Sequence, residues 1–223
     1  MARAQQEVSS GLKVSQVSDA PDSISVLLQA HANLSSTGQI LSNLGRVKTE
    51  VDSGEQALEN AVSLLEQART LGAQGATGTQ TAAGRIAIAQ QLDSILQQMV
   101  ALAGTNVEGR FIFSGDSDQQ VPYTYNGALV NPVSAYLGSA STRLVQHPNG
   151  TTFSVALTAQ QIFDSATPGD NVFTAIENLS AALKANNDPA IQAAVGVMPG
   201  VDDYLNNQLA SYGGFQNTVA GAT

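Results

Sequence analysis

The fold is decided by residues Gly104–Gly115, which read GTNVEGRFIFSG. Up to Asn106 the apolar residues recur every three or four positions, as they do along one face of a helix. From Arg110 the sequence becomes a short aromatic and β-branched run, which Ser114-Gly115 ends. This change of period favours a helical rod that carries a β-rich head.

A sustained heptad precedes this stretch and predicts one long helix over residues 22–71 that packs as a coiled coil. Ser18 or Asp19 can cap the helix start, and Pro21 suits its first turn. The seam positions alternate three and four apart: Leu27, Ala30, Leu34, Thr37, Leu41, Leu44, Lys48, Val51, Glu55, Leu58, Val62 and Leu65.

Three glycines interrupt this heptad. Gly38, Gly45 and Gly54 each weaken a helix by up to about 1 kcal/mol. They also permit a partner helix to approach closely. Several shorter helices that break at these glycines are the alternative.

A second heptad follows a predicted loop at residues 72–84, which is rich in Gly, Ala, Thr and Gln. Its seam positions are Ile88, Leu92, Ile95, Met99, Leu102 and Asn106. A short loop between two patterned helices predicts an antiparallel helical hairpin. Asn106 either fixes the register of the seam or marks the fraying end of the helix.

Residues 109–163 have the pattern of a small β-domain. Asn126-Gly127 is a hairpin signal, and residues 147–150 form a four-residue turn between two β-branched runs. The predicted strands are residues 110–113, 121–125, 142–146 and 151–157.

Beyond this stretch the helical period returns. One helix is predicted from Val172 to about Asn186, and another opens at Asp188-Pro189. Pro199-Gly200 should kink or break the second helix, so that Asp202-Asp203 begins its continuation.

The order helix, helix, β-insert, helix, helix predicts a mainly α fold with an inserted small β-domain. We expect an elongated antiparallel helical bundle with a β-rich head. The discontinuous helical domain comprises residues 1–108 and 165–223, and the inserted β-rich domain comprises residues 109–164.

The composition excludes several classes of function. Only 12% of the residues are charged, which is more typical of an assembling protein than of a soluble enzyme. The net charge of −9 argues against nucleic acid as a partner, because neutralising phosphates needs a basic surface. Cysteine is absent, which rules out disulfides and thiolate sites. No apolar run is long enough for a membrane span, and no cleavable signal peptide is visible.

No pattern of catalytic or metal-binding residues is present. His31 and His147 lie far apart and lack zinc-site spacing. Ser10 and Lys13 formally match a Ser-x-x-Lys nucleophile motif, but the partner motifs are missing. Asp116 and Asp118 are interpreted as a solvated turn. We therefore expect neither enzymatic activity nor a cofactor.

Three stretches resemble the bacterial flagellin superfamily. Residues 9–14 with Asp19 resemble the signature before its first long helix, although Ala20 stands where a second Asp is common. Asn106 with residues 109–115 resembles the hook–filament junction branch, whereas residues 213–217 resemble the C-terminal helix of the whole superfamily. The residues that carry the resemblance are Ser10, Gly11, Lys13, Asp19, Asn106, Gly109, Phe111, Phe113, Gly115, Gly213 and Asn217.

This resemblance implies a structural subunit of the extracellular flagellum, an adaptor at the hook–filament junction that assembles by helix packing and is exported without a cleaved signal peptide. Its partners would be copies of itself and related axial proteins, namely a hook-side hook-associated protein and flagellin, with an export chaperone as a further candidate. Neither nucleic acid nor a membrane is expected as a partner. Because the first signature starts almost at Met1 and Thr223 closely follows the last, we expect a core fragment that is monomeric or weakly associating.

Two other functions remain open at this level. The first is a filament subunit. The second is a secreted adhesive module on a helical stalk, which a surface cluster of Tyr123, Tyr125 and Tyr136 would support. Tyrosines packed in the core would favour the structural subunit. An enzyme would need a deep polar pocket lined by His147 and acidic residues.

Overall fold

The computed structural model describes residues 21–167 and 169–223. The motif residues Ser10, Gly11, Lys13 and Asp19 lie outside the described residues. The described chain falls into two compact units, one ending at Asn43 and the other comprising Leu44–Thr223.

The described residues form five helices and four short strands. The helices are α1 (Pro21–Gly75), α2 (Ala82–Ala103), α3 (Ala159–Phe163), α4 (Val172–Lys184) and α5 (Asp188–Ala222). The strands are β1 (Asn106–Val107), β2 (Arg110–Phe111), β3 (Leu144–Gln146) and β4 (Thr152–Ser154), paired antiparallel as β1–β2 and β3–β4. The predicted mainly helical fold with a small β region is therefore confirmed.

Helix α1 is one continuous helix, so the alternative of shorter helices broken at glycines is wrong. Within the unit that ends at Asn43, its apolar seam residues Leu27, Leu34 and Leu41 are exposed. From Leu44 onward the apolar seam residues are buried or partly buried, and Leu44, Leu58 and Leu65 are almost fully shielded from solvent. Lys48, a polar seam position, is exposed.

Helices α1 and α5 run antiparallel within Leu44–Thr223. Gly54 of α1 faces Tyr212 of α5, whereas Arg69, further along α1, reaches Asp202, which lies earlier in α5. The order of these contacts reverses between the helices, as the predicted antiparallel bundle requires.

Helix α4 runs parallel to the end of α1. Gly72 faces Leu179, and Gly75 faces Leu183 one turn further along both helices. The prediction that a loop begins at residue 72 is therefore wrong, because these glycines remain helical and let the leucines pack against the helix backbone. The loop is confined to residues 76–81, and Thr81 caps α2 by accepting a hydrogen bond from the Gly84 amide.

A buried arginine joins the two helical hairpins. Arg85 of α2 is 4% exposed, and its guanidinium donates to the carbonyls of Gly75 (3.1 Å) and Thr77 (3.5 Å). It also donates to Asn186 Oδ1 (2.7 Å) and pairs with Asp188 (2.5 Å). A buried guanidinium is stable only when its donors are satisfied, so this residue fixes the α1–α2 loop against the α4–α5 turn.

Helix α5 continues through Pro199, and the prediction of a start at Asp202-Asp203 is wrong. Met198, Val201 and Leu205 form a fully buried stripe across the proline. Burial of this stripe stabilises the helical course despite the missing backbone donor and the steric cost of the ring.

The transition out of α2 differs from the predicted one. The helix ends at Ala103 with Gly104 as its cap, and Asn106 lies in β1 rather than on a helical seam. Glu108 (φ 51°) and Gly109 (φ 83°) form the two-residue turn of the β1–β2 hairpin, as a type I′ turn requires. The Asn106 side chain accepts a hydrogen bond from the Gly109 amide at 2.9 Å.

Residues 104–158, which we call the β region, contain less strand than predicted. The first predicted strand stops at Phe111, because Ile112–Gly115 turn inward. The second is replaced by a single bridge between Tyr125 and Val133, so the predicted tight hairpin at Asn126-Gly127 is a longer loop. The third and fourth are present but shorter, as β3 and β4. Helix α3, which was not predicted, is started by a capping box between Thr158 and Gln161.

Replacing Gly54 by alanine should destabilise the protein, whereas replacing Gly45 should not. A Cβ at Gly54 would overlap the buried Tyr212 ring, which should cost about 1–3 kcal/mol in the free energy of unfolding. A Cβ at Gly45 meets no atom within 4 Å, so Gly45→Ala should stabilise the helix by up to about 1 kcal/mol. Urea unfolding of both variants tests this, and equal effects would contradict the packing described.

Candidate functional site

Phe113 lies at the centre of the contacts between the β region and the helices. Its ring is fully buried and meets Phe163 of α3 edge-on at a centroid distance of 6.3 Å, and Tyr212 of α5 at 6.0 Å. Its carbonyl accepts hydrogen bonds from the Ala159 amide (2.7 Å) and the Tyr136 hydroxyl (3.1 Å). Edge-to-face rings contribute about 0.5–1.5 kcal/mol each beyond area burial, so Phe113 fixes this junction in both position and orientation.

The aromatic contacts continue toward α4. Tyr123 meets Phe173 at 5.1 Å and Tyr136 at 5.5 Å, and Phe163 stacks on Phe173 at 5.6 Å. The Tyr123 hydroxyl donates to Asp164 at 3.0 Å. Burial, together with the nearby Asp164 carboxylate, raises the pKa of Tyr123, so the phenol stays protonated as a donor. We call Phe113, Tyr123, Tyr136, Phe163, Phe173 and Tyr212 the aromatic joint.

Gly115 allows the chain to turn directly beneath this joint. Its φ of 62° lies in the left-handed region, and an added Cβ would overlap the carbonyl oxygens of Ser139 and Ser141. The next residue, Asp116, donates its amide to the Ser141 carbonyl at 3.0 Å. Both the dihedral angle and the close approach therefore require glycine here.

A charged network fastens the β region to α1. Glu50 of α1 pairs with Arg143 at 2.8 Å and approaches Arg110 of β2 at 3.6 Å, while Arg110 also pairs with Asp118 at 2.7 Å. Asp118 is therefore an ion-pair partner and not simply the solvated turn residue of the sequence analysis. The network connects three segments that are distant in sequence.

Burial raises the pKa of Glu50 above its ordinary value, and this effect exceeds the lowering by Arg110 and Arg46. The two neighbouring cations thus compensate only part of the desolvation of the carboxylate. The opposite holds for Asp118, whose pKa is lowered by hydrogen bonds from Gln119 and Arg110.

The C-terminal motif lies on α5, beside Tyr212. Gln216 donates its side-chain amide to Asp52 of α1 at 3.0 Å and also to Glu55. Gly213 has open space where a Cβ would point, and Asn217 is exposed. Within this motif, contact with α1 therefore comes from Gln216 rather than from the two residues singled out by the resemblance.

Residues 1–118 match the family model described as the bacterial flagellin N-terminal helical region. The chain belongs to the bacterial flagellin family. The matched part covers more than half of the chain and ends within the β region, so it includes α1, α2, the β1–β2 hairpin and Phe113.

Solved structures of flagellar proteins share the fold of this flagellin-family chain. A structure described as a flagellar hook-associated protein from Vibrio parahaemolyticus has a TM-score of 0.76 and 25% sequence identity, covering 92% of this chain and 91% of its own. FlgL from Bacillus cereus has a TM-score of 0.67 at 22% identity, with 91% and 93% covered. The flagellar junction protein FlgL from Legionella pneumophila has 0.71 at 13% identity, with 89% and 99% covered. The last two likenesses establish the fold alone.

No curated protein sequence matches this flagellin-family chain closely enough to count as a relative. Within residues 21–167 and 169–223, no helix is long and apolar enough to cross a membrane. The same residues contain no group of three or more His, Asp or Glu side chains that could hold a metal ion. His31 is exposed on α1, and His147 stays in the β3–β4 turn, where its ring contacts Phe153.

The structure brings the residues of the central motif together. The Asn106 side chain accepts a hydrogen bond from Gly109 in the β1–β2 turn, and Phe111 is half-buried beside it. Phe113 belongs to the aromatic joint, and Gly115 follows it by two residues. No sequence pattern predicts the roles of Glu50 and Arg143. The one relevant sequence feature is that only nine Lys and Arg residues are available to pair with 18 Asp and Glu residues.

Phe113→Ala should destabilise the flagellin-family chain by about 3–5 kcal/mol, because it empties a fully buried ring position. Phe111→Ala should cost less, about 1–2 kcal/mol, because that ring is only half-buried. Urea unfolding followed by circular dichroism measures both. Equal losses in the two variants would show that the joint is not centred on Phe113.

Glu50 should make stability fall as the pH rises. Because its folded-state pKa lies above the ordinary value of 4.5, the folded chain keeps a proton that the unfolded chain has lost. The contribution is fully present below about pH 4.5 and is lost as the pH rises through the folded pKa. The free energy of unfolding of the wild type, relative to Glu50→Gln, should therefore decrease as the pH rises above about 4.5.

Urea unfolding at several pH values measures this difference. Glu59→Gln removes an exposed carboxylate from the same helix and serves as the control. A wild-type advantage over Glu50→Gln that grows with pH would contradict the assignment.

Proposed function

We propose that this chain is a structural subunit of the bacterial flagellum that acts as an adaptor at the hook–filament junction. The observation that carries this proposal is the match of residues 1–118 to the flagellin family, combined with a hook-associated fold shared over more than nine-tenths of the chain. Assembly would proceed by packing of helix surfaces, and the family model supplies no catalytic role for the chain.

The exposed apolar seam on α1 supports assembly by helix packing. Leu27, Leu34 and Leu41 repeat every seven residues and remain exposed in the unit that ends at Asn43. Exposed apolar stripes of this kind mark interaction surfaces. We propose that flagellar partners cover this seam: other copies of the chain, a hook-side hook-associated protein and flagellin.

The burial of three tyrosines argues against the adhesive module as the function of the chain. Tyr123 is 4% exposed, and Tyr125 and Tyr136 are partly buried against the core, so they form no surface cluster. Their hydroxyls point to protein acceptors: Asp164 for Tyr123 and backbone carbonyls for the other two. These rings serve packing. The filament subunit remains the second candidate, because it belongs to the same family.

The protein would act outside the cell, after export without a cleaved signal peptide, and an export chaperone is a further candidate partner. No enzymatic reaction is assigned to it. The division into a helical domain (residues 1–108 and 165–223) and an inserted β-rich domain (residues 109–164) would place the latter on the outer side of the assembly.

Deletion of the full-length gene should give cells that build hooks but no filaments and release flagellin into the medium. A junction adaptor is needed for flagellin to be retained on the hook, whereas flagellin synthesis and export do not require it. Electron microscopy of cells and immunoblotting of the medium measure the two effects, and the restored gene is the control.

Bare hooks without released flagellin would favour the filament-subunit alternative. Normal filaments, in a strain without a second copy of the gene, would overturn both flagellar functions.

A further inference from the structure

The loop between Tyr125 and Val133 presents an apolar tip to solvent. Val130 is 98% exposed and Leu129 is 59% exposed, although both are large aliphatic side chains. The loop is held at its base by hydrogen bonds from the Asn126 amide to the Pro132 carbonyl (2.7 Å) and from the Leu129 amide to the Asn126 carbonyl (3.1 Å). The tip is thus a fixed apolar projection, which has no packing role within the compact unit.

A concave site of about 230 Å³ lies behind this tip, between the loop and helices α2 and α4. Its apolar wall is formed by Leu129, Val130 and Pro132, and its polar wall includes Glu177 and Asp93. An apolar projection beside a partly acidic hollow is suited to a long basic side chain with an aliphatic stem.

The two acidic side chains of this hollow differ in whether a cation neutralises them. Asp93 is neutralised by Lys184, which reaches both carboxylate oxygens at 2.7 and 3.0 Å, and it accepts a further bond from Ser180. Glu177 forms no ion pair with any residue that the structure describes. Burial raises the pKa of Glu177, and a hydrogen bond from the Val133 backbone offsets this only in part.

The chain carries one described cation that suits this hollow. Arg85 is buried, Arg110 and Arg143 are engaged by Glu50, Lys48 pairs with Asp52 at 2.6 Å, and Arg46 has a contact of its own. Arg69 is about half-exposed, and its single carboxylate contact, to Asp202, spans 3.5 Å. Among the cations with a described ion pair, Arg69 is the one whose only carboxylate contact is longer than 3 Å.

We propose that the hollow bounded by Leu129, Val130 and Glu177 is a docking site for a second copy of this chain, which inserts Arg69 toward Glu177. The two surfaces differ, since one lies at α1 and α5 and the other at α2, α4 and the loop. A contact between unlike surfaces is heterologous, so repeating it builds a ring or a helical array rather than a closed two-fold dimer. This proposal rests on the proposed function as an assembling subunit and names the surfaces that meet.

The absence of cysteine makes a directed crosslinking test possible. One copy carries Val130→Cys at the loop tip, and the other carries Ala73→Cys, one turn from Arg69 on α1. After mixing at high protein concentration and treatment with a short bis-maleimide, the mixed dimer should exceed the Val130–Val130 dimer. Leu144→Cys, at an exposed apolar position of β3, replaces Ala73→Cys as the matched control and should give background yield.

Charge variants then test the specific pair. Glu177→Lys in the loop-bearing copy, or Arg69→Glu in the other, should lower the mixed-dimer yield by about three- to tenfold, the range between an exposed and a desolvated charge pair. Combining Glu177→Lys in one copy with Arg69→Glu in the other should restore it. Lys48→Glu removes another exposed cation of α1 and should leave the yield unchanged.

Circular dichroism verifies that each variant is folded. Glu177→Gln keeps the shape of the side chain but removes its charge, so it should also lower the mixed-dimer yield. A mixed dimer at background level, or one that the charge variants leave unchanged, would overturn the proposal. These results concern the purified chain, so they are distinct from the filament phenotype that tests the junction function.

Discussion

Tyr212 contacts both Gly54 and Phe113, and this packing sets the positions of α1, α5 and the β region. Gly54 has no side chain, so the Tyr212 ring of α5 lies directly against the backbone of α1. The same ring meets Phe113 edge-on at a centroid distance of 6.0 Å, which brings the β region onto both helices. One aromatic side chain thus fixes the separation of α1 and α5 and the position of the segment between the hairpins.

Polar contacts hold the loops and segments that the aromatic packing does not reach. Arg85 ties the α1–α2 loop to the α4–α5 turn, and Glu50 holds Arg110 and Arg143 against α1. The chain has few cations, and several of them are used internally in this way. Its surface is consequently dominated by uncharged polar and apolar groups. Such a surface suits a protein that packs against copies of itself, because little charge must be desolvated on association.

The family membership and the geometry lead to the same type of function. Assembly as proposed would use helix surfaces that contact neighbouring subunits and a β region that is held in place on the helices. The buried tyrosines, with their hydroxyls bonded within the protein, meet the second need. The exposed leucines of α1 and the apolar tip at Val130 provide surfaces for the first.

Apolar periodicity alone predicts the long helices, their order and a β-containing segment between them, because it records which face of each element is buried. The sequence also singled out Phe113, but not the ring that Phe113 meets. Gly45 and Gly54 look alike within the heptad, yet only Gly54 lies under an aromatic ring, since that depends on the register of α5 against α1. Likewise, Pro199 remained helical, and Asn106 became the first residue of β1 instead of a helical seam residue. Only the tertiary structure decided these points, because packing between distant segments outweighs local propensity by several kcal/mol.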